Sequence, residues 1–516
     1  MNAPIKHAVF LFSFLFAVYA LVAQPANDNC ANATTISPIA WEDPVSYNIT
    51  ATTQNATPSA NAPGCAGAGP ANDDIWYTFT ASAASIVIRF AEASQIPSGA
   101  TGLGLALYNS GCPTNSSSFY CNFSVGFNSG HVIINGLTIG QTVLLRCWSP
   151  GTASPIQFKL CVQDLPVAPA NDECSGATSL AVNPFGQTCT TPLNLTTAGA
   201  TASATPAASC GGSDNNDDIW VKFTATSAQH IFRFSNMVKL LGNPFYLGIT
   251  IYDGGPSGSA TCPVATNHIF CTGSYGFSSG YKLVGGFVIG HTYYVRLWAA
   301  DTENFASFDF CVQEVPPPPA NDDCANAVLL IMEASAAGCM APVTVNTSGA
   351  TQSANKPSCL TDNNVEDDVW YKFTPTGEKI RLDFSNLQQL LGDPNSIGFA
   401  IYKGVCPLSS AAIHCTTNFG FFNGKTLLEG FEPGATYYLR IWSTGNENFA
   451  SFSLCLQSVF PRPTMSAMQR LAFRLAPDFA PVPRLPTCLM PLLLPATTVR
   501  QAAEMGAGQR TYGSPP

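Results

Sequence analysis

Three ordered copies of one sequence pattern constrain this chain more than any other feature. The two clearest motifs, Pro-Ala-Asn-Asp-x-Cys and Asp-Asp-x-Trp, begin at Pro25, Pro169 and Pro319 and at Asp73, Asp217 and Asp367. Each copy has the length of a whole domain, whereas the unit of a solenoid has about 20–50 residues. We therefore predict three tandem domains, over residues 24–165, 166–315 and 316–459.

Within each copy the pattern is that of β-strands. In IWYTF, alternation should place Ile75, Tyr77 and Phe79 on one face and Trp76 and Thr78 on the other. Such runs are separated by clusters of Gly, Asn, Ser and Pro. About eight or nine strands per copy, with a helical turn or two in the stretch that begins LQQLLGD, predict an all-β fold. The fold class is three tandem, disulfide-stapled β-sandwich domains of jelly-roll type.

The N-terminus and the charge balance indicate export. Lys6 and His7 precede an apolar run that ends in small residues, the pattern of a signal peptide over residues 1–23. The alternative is an uncleaved anchor, but the run is short for a membrane span. We expect a secreted protein, extracellular or at the cell surface, with no transmembrane segment after cleavage. Its net charge of −10 argues against nucleic acid as a partner, because binding phosphates requires clustered Lys and Arg.

The 19 cysteines suit disulfides in an exported chain. The second and third copies share six cysteine positions, whereas the first copy has Trp41 in place of one and an additional Cys147. Metal binding is disfavoured because paired C-x₂-C knuckles are missing from the sequence. Spacing and elimination predict the bridges Cys112–Cys121, Cys262–Cys271, Cys406–Cys415, Cys30–Cys161, Cys174–Cys311, Cys324–Cys455, Cys189–Cys210, Cys339–Cys359 and Cys65–Cys147.

Four motifs in each copy resemble a known family. They are N-D-x-x-x-x-A, D-D-x-W-Y-x-F, x-I-Y-x-G and G-x-T-Y-Y-x-R, and over residues 25–457 the chain resembles pre-peptidase C-terminal (PPC-like) domains. The likeness is closest to the cysteine-bearing version repeated in large secreted surface proteins of bacteria. It implies jelly-roll sandwiches that bind, space or assist secretion without catalysis. Related collagen-binding domains use calcium at the N-terminal linker. The cysteine swap in the first copy and the tail depart from the family's pattern.

Acidic clusters recur in every copy and predict calcium sites. Calcium takes six to eight oxygen ligands, including carboxylates and amide carbonyls. The linker must fold back on the Asp-Asp strand for these ligands to meet. The alternative is that Asn-Asp caps a turn and the Asp pair is a solvated strand entry. The predicted metal ligands are Asn27, Asp28, Asp73, Asp74, Asn171, Asp172, Asp217, Asp218, Asn321, Asp322, Asp367 and Asp368.

Catalytic machinery is not predicted. The sequence has no G-x-S-x-G elbow, H-E-x-x-H helix or Walker A loop. Adjacent aspartates on a strand point to opposite faces, which disfavours a carboxylate pair for glycoside hydrolysis. The paired tryptophans, such as Trp76 and Trp148, are expected in a core; exposed, they could stack on sugars. The strand arginines Arg146, Arg296 and Arg440 either pair with a neighbouring carboxylate or meet a ligand.

The prediction for function is a secreted, non-catalytic adhesion or binding protein, stabilised by calcium. Its partner would be an extracellular protein or a glycan, not identified by the sequence. Two alternatives are the carbohydrate-binding accessory region of a secreted hydrolase and a passive structural stalk. Residues 460–516 are rich in Pro and Arg; we expect either a disordered tail or a drifted reading frame that replaces the native C-terminus.

Overall fold

The computed structural model describes residues 23–459, with short internal gaps of which the longest are 204–209, 211–216 and 361–366. The predicted signal peptide, apart from Ala23, and the predicted tail lie outside the described residues. The strands form six sheets, two in each repeat, and the all-β prediction is confirmed. None of the described helices has the length and apolarity that crossing a membrane requires.

The first repeat packs a five-stranded front sheet, in the order β1-β3-β8-β5-β6, on a four-stranded back sheet, β2-β9-β4-β7. A 3₁₀ turn, Cys30–Asn32, precedes the first strand. The strands are β1 Thr34–Thr35, β2 Ile49–Thr52, β3 Ile75–Thr80, β4 Ile86–Gln95, β5 Gly102–Asn109, β6 Tyr120–Gly126, β7 His131–Ile134, β8 Thr142–Trp148 and β9 Ile156–Asp164.

The second repeat has the same arrangement with one additional short strand. Its 3₁₀ turn is Cys174–Gly176, its front sheet is β10-β13-β18-β15-β16 and its back sheet is β11-β19-β14-β17, with β12 beside β19. The strands are β10 Thr178–Ser179, β11 Val182–Asn183, β12 Leu193–Thr196, β13 Ile219–Thr224, β14 Gln229–Leu241, β15 Tyr246–Pro256, β16 His268–Gly276, β17 Tyr281–Gly285, β18 His291–Ala299 and β19 Phe305–Glu314.

The third repeat copies the second. Its 3₁₀ turn is Cys324–Asn326, its front sheet is β20-β23-β28-β25-β26 and its back sheet is β21-β29-β24-β27, with β22 beside β29. The strands are β20 Val328–Leu329, β21 Glu333–Ala334, β22 Val343–Asn346, β23 Val369–Phe373, β24 Lys379–Leu391, β25 Ser396–Lys403, β26 His414–Gly420, β27 Lys425–Glu429, β28 Tyr437–Ser443 and β29 Phe449–Val459. The domain boundaries of the sequence analysis stay predictions, and the strands of each repeat fall inside them.

The main core of each repeat lies between its two sheets. In β3, Ile75, Tyr77 and Phe79 enter this core, whereas Trp76 packs on the outer face of the front sheet. The predicted alternation is therefore confirmed. The helical turn predicted at LQQLLGD is wrong, because these residues continue β24 as a bulged strand. Asn386, with φ of 53°, stands at the first bulge and disturbs the two-residue period.

All nine disulfide predictions are wrong. Cys30 lies beside the front sheet and Cys161 lies on the back sheet, so the two cannot meet. Cys147 points into the inter-sheet core, away from Cys65, and both Cys147 and Cys161 are free and buried. The bridges are Cys30–Cys112, Cys65–Cys121, Cys174–Cys262, Cys189–Cys311, Cys210–Cys271, Cys324–Cys406, Cys339–Cys455 and Cys359–Cys415.

Successive repeats meet through equivalent surfaces. His131 of the first repeat contacts the backbone oxygen of Glu303 in the second, with Nε2 and O 2.8 Å apart. One repeat later, Tyr281 stands at the position of His131 and donates to the oxygen of Glu447, 3.2 Å away. The linker packs closely here, since a Cβ on Gly199 would lie 2.4 Å from a linker carbonyl oxygen. The back sheet of one repeat thus docks on the next repeat twice by the same geometry.

Candidate functional site

The predicted site residues gather on the outer face of each front sheet. There Trp76, Tyr108 and Trp148 form a small second core in the first repeat. The N-terminal turn and the loop before β3 cover it, and Cys30–Cys112 and Cys65–Cys121 hold the cover in place. The tryptophans are buried as expected, yet in this outer core and not between the sheets. They are not available for stacking on sugars.

The asparagine of each cluster attaches the N-terminal turn to the sheet. The side-chain amide of Asn27 donates to the backbone oxygen of Trp76, 2.9 Å away, and the backbone N–H of Trp76 donates to the backbone oxygen of Asn27 at 2.8 Å. Asn171 and Asn321 make the same two bonds to Trp220 and Trp370. Asparagine suits this position because its short side chain carries an N–H donor for the tryptophan carbonyl while its own backbone oxygen accepts the return bond.

The first aspartate of each cluster holds the covering loop. Asp28 accepts from the backbone N–H of Thr57 at 2.5 Å and from the Thr57 hydroxyl at 2.7 Å. Asp172 does the same with Thr201, and Asp322 with Thr351. One carboxylate thereby satisfies two donors of a single threonine.

The fourth residue of each cluster forms a buried ion pair. Asp74 lies 3.1 Å from Nε of Arg146, and both side chains are almost completely buried. Its two oxygens also accept from the N–H and hydroxyl of Ser59, at 2.9 and 2.5 Å, and the Arg146 guanidinium lies over the Trp76 ring. The equivalent pairs are Asp218–Arg296 and Asp368–Arg440. The structure therefore pairs the strand arginines with carboxylates, the first of the two alternatives for them.

The third residue lies on the opposite side of the strand. Asp73 accepts from the Thr53 hydroxyl at 2.6 Å and from the N–H and hydroxyl of Ser149 at 3.0 and 2.5 Å. Burial raises the pKa of Asp73, and it raises the pKa of Asp217 and Asp367 well above the ordinary range. Desolvation disfavours the charged carboxylate in each case.

These clusters do not bring their carboxylates to one point. Within the described residues, one group of three or more Asp, Glu, His or Cys side chains is close enough to share a metal ion, namely Glu333, Cys339 and Cys455. Cys339 and Cys455 are bonded to each other as a disulfide. The observed contacts of Asp28 and Asp74 are to hydroxyl, amide and guanidinium donors. Calcium binding stays a prediction.

The partners of these aspartates were not among the residues predicted from the sequence. Thr57 and Ser59 bind Asp28 and Asp74, and the same Thr-x-Ser triplet stands in the covering loop of every copy. It stands at the same offset in every copy, with its threonine 29 residues after the first aspartate of the cluster and its serine 15 residues before the last. The repeated triplet was the available signal. The threonine and the serine, separated by one residue, suit two neighbouring carboxylates because each of them donates a backbone N–H and a side-chain O–H.

The histidines occupy structural positions. His414 contacts the backbone oxygen of Glu429 and stacks on Phe431. His230 is buried between Phe223 and Phe287, with ring centroids 5.2 and 4.8 Å apart. Nδ1 of His230 has no hydrogen-bond partner in the described structure, and burial lowers the pKa of the ring to about 4.

His230 should make the second repeat less stable in mild acid. The ordinary pKa of histidine is about 6.5. Between that pH and 4 the unfolded chain binds a proton that the folded repeat does not, so stability falls as the pH drops. We expect a loss of about 2–3 kcal/mol in the free energy of unfolding.

The matched control for this prediction is His230→Ile. Ile86 and Ile380 occupy the same register position in the other repeats. The natural protein and His230→Ile are denatured at several pH values from about 7 down to about 4, the range over which the histidine of the unfolded chain becomes protonated. Hydrogen exchange identifies the unfolding of the second repeat, and the free energies of unfolding of the two proteins are compared at each pH. The substitution should remove the acid-dependent loss that His230 causes, while the raised pKa of Asp217 acts in the opposite direction in both proteins. A difference in stability between the two proteins that does not change with pH would contradict the prediction.

Comparison with known families agrees with the repeat structure. Residues 26–159, 170–312 and 320–454 each match the T9SS-associated family described as Galactose binding domain-like. The chain belongs to this family. It is a β-sandwich family, as the PPC-like resemblance implied, but the PPC-like assignment itself is not confirmed. Among curated proteins no sequence matches.

Solved structures similar to this galactose binding domain-like chain are distant. The CBM22-1–CBM22-2 tandem domain of Paenibacillus barcinonensis Xyn10C is 10% identical, with 46% of this chain and 82% of that chain covered and a TM-score of 0.13. Tripeptidyl peptidase 2 is 9% identical, with 79% of this chain and 34% of that chain covered and a TM-score of 0.15. A triple jelly-roll protein of an archaeal virus turret is 8% identical, with 77% of this chain and 85% of that chain covered and a TM-score of 0.12. At these TM-scores the likenesses carry no argument.

Proposed function

We propose that this protein is an exported carbohydrate-binding protein that attaches its three repeats to glycans outside the cell. The observation that carries the proposal is the match of all three repeats to a galactose binding domain-like family. Three linked modules would bind a multivalent glycan surface more tightly than one, because the second and third binding events are intramolecular. Adhesion to such a surface is the role that this arrangement suits.

Export is supported by the cysteines. The described residues hold eight disulfides, and such bonds persist in oxidising compartments. The T9SS association of the family favours the same location. Fractionation of expressing cells should place the protein outside the cytoplasm, at the surface or in the medium.

A non-catalytic role is supported by the contacts of the conspicuous polar groups. The buried aspartates bind loop hydroxyls and strand arginines. His131 and His414 contact backbone oxygens, and His230 is enclosed by phenylalanines. These side chains stabilise loops and repeat junctions, and we propose that chemistry on the ligand is not part of the function.

A glycan array probed with the full chain tests the proposal. We expect binding to a small set of neutral glycans, competed by the same glycans in solution. The control is the chain after reduction of its disulfides, which should lose the covering loops and the binding. An array without signal, from a chain shown to be folded, would overturn carbohydrate binding and favour the passive stalk.

Calcium stabilisation is a separate proposal that rests on the repetition of the acidic clusters. Extracellular modules bind calcium at about 10⁻⁴–10⁻³ M, so the test requires millimolar metal. Under this proposal the full chain melts at a higher temperature in calcium than in EDTA. Asp172→Ala should remove the increase for the second repeat. Equal melting temperatures in both buffers would reject calcium stabilisation, and the clusters would then serve only to hold the covering loops by hydrogen bonds.

A further inference from the structure

The junction of the first and second repeats encloses a cavity of about 670 Å³. This volume lies within the roughly 300–1,000 Å³ of small-ligand sites, which often form between domains. Leu165, Val167 and Phe305 supply apolar walls, and Asp217 and Glu303 are the carboxylates in the lining. The cavity thus combines an apolar surface with two acidic groups.

Asp217 lacks a donor that its counterparts have. Both of its oxygens are buried without a donor in hydrogen-bonding geometry, although the Thr197 hydroxyl and the Ala299 N–H lie near enough to offset part of its raised pKa. The equivalent Asp73 accepts from the Ser149 hydroxyl, and Asp367 from that of Ser443. The second repeat has Ala299 at this serine position.

Glu303 also lacks a partner that its counterpart has. At the junction of the second and third repeats, Glu447 is ion-paired with Lys282 and accepts from the Leu283 N–H at 3.1 Å. In the first repeat, Val132 occupies the register position of Lys282. Burial raises the pKa of Glu303, and the neighbouring His131 and the Ile133 N–H oppose part of this increase. A lysine such as the one that pairs with Glu447 is not among these opposing groups.

Two equivalent junctions therefore differ in two donors. The second junction has a serine hydroxyl and a lysine ammonium for its carboxylates, and the first has Ala299 and Val132. Asp217 is the carboxylate whose buried oxygens lack a donor in hydrogen-bonding geometry, which is costly, so a ligand that brings donors stabilises the site on binding. The apolar walls require that the same ligand also present a C–H surface.

We propose that this cavity binds a neutral saccharide, whose hydroxyls donate to Asp217 and Glu303 while its C–H face packs on Leu165 and Phe305. The assignment rests on the proposed carbohydrate-binding function and places one binding site at the first junction. Sugars carry both required features on one small molecule, with several O–H donors around an apolar ring face. A bare cation would satisfy the carboxylates but leave the apolar walls without a partner.

The test converts the first junction toward the second. Calorimetry with the full chain measures the affinities for galactose, lactose and cellobiose in EDTA. Ala299→Ser should lower the affinity for the bound sugar about tenfold, because the new hydroxyl occupies Asp217. Val132→Lys should act in the same direction through Glu303. Ala299→Ser introduces the serine that the first and third repeats carry at this position, so the fold should persist. Val132 is buried in the inter-sheet core of its repeat, so circular dichroism and thermal melting must first show that Val132→Lys is folded.

Ser443→Ala is the matched control, because it removes the same hydroxyl from the second junction and should leave sugar affinity unchanged. Glycan binding that Ala299→Ser and Val132→Lys do not alter would overturn the cavity assignment and leave the proposed function standing. Absence of binding by all three sugars and by the glycan array would overturn both. In a separate titration without EDTA, binding of calcium by a chain that binds none of the three sugars would replace the saccharide with a cation and reject the proposal.

Discussion

Asp218→Asn should lower the free energy of unfolding of the second repeat by about 3–5 kcal/mol. The substitution keeps the shape of the side chain but leaves the charge of Arg296 buried without its partner, 2.8 Å away in the native protein. It also weakens the two bonds from Ser203 that hold the covering loop over Trp220. We expect an early transition in urea that hydrogen exchange assigns to the second repeat.

Two controls separate the buried pair from ion pairs in general. Asp74→Asn should produce the same loss in the first repeat, because Asp74 and Arg146 are equally buried. Lys379→Met breaks the pair with Glu429, in which both side chains are largely exposed, and should change stability by less than about 1 kcal/mol. Similar small effects from all three variants would contradict the role assigned to the buried pairs.

Replacement of Cys189 and Cys311 by alanine should cost the second repeat about 5 kcal/mol. The two residues are 122 positions apart in the sequence, so the bridge restricts a long stretch of the unfolded chain. The value follows from loop-closure entropy, which grows slowly with loop length. Urea denaturation of the double variant, with hydrogen exchange resolved by repeat, measures the loss.

The first repeat contains a natural comparison for this bridge. It has Trp41 at the cysteine position, over which Arg89 lies at 5.5 Å, and Trp41 also contacts Phe305 of the next repeat. Cys161→Ala removes the equivalent buried side chain without breaking a bond and should cost clearly less than the double variant. Equal losses would show that the side chains, and not the bridge, stabilise the second repeat.

The local features of the fold were predictable from the sequence. The two-residue period of IWYTF separates Tyr77 from Trp76 in the structure as it does in the pattern. For the arginine in each late strand, the sequence left open a carboxylate partner or a ligand, and the structure pairs Arg146 with Asp74, directly before the neighbouring strand. The strand period was predictable because it depends on a fixed strand geometry.

The disulfides and the aspartate contacts were not predictable in this way. Cys112 and Cys121 stand nine positions apart in a pattern typical of a local clip, yet they bond to Cys30 and Cys65 on the covering segments. Asp28 and Asp74 belong to different motifs, and their partners Thr57 and Ser59 lie in a third segment. A covering loop makes these contacts by folding back over a sheet face. The spacing from each aspartate to its partner is the same in every copy, but a constant spacing does not say that the two segments meet.

By itself, the sequence determined the number of repeats, the all-β sandwich class and the face on which a residue of a regular strand such as β3 lies, because both the repetition and the two-residue period can be read along the chain. Only the tertiary structure decided which cysteines bond, where the tryptophans are buried and how the two junctions differ. The sequence gives no sign that Ala299 and Val132 matter. Their role is visible only in the structure, where their counterparts Ser443 and Lys282 contact the carboxylates of the second junction. Contacts between distant segments depend on distances in space, and packing sets those distances once both sheets, the covering loop and the next repeat are in place.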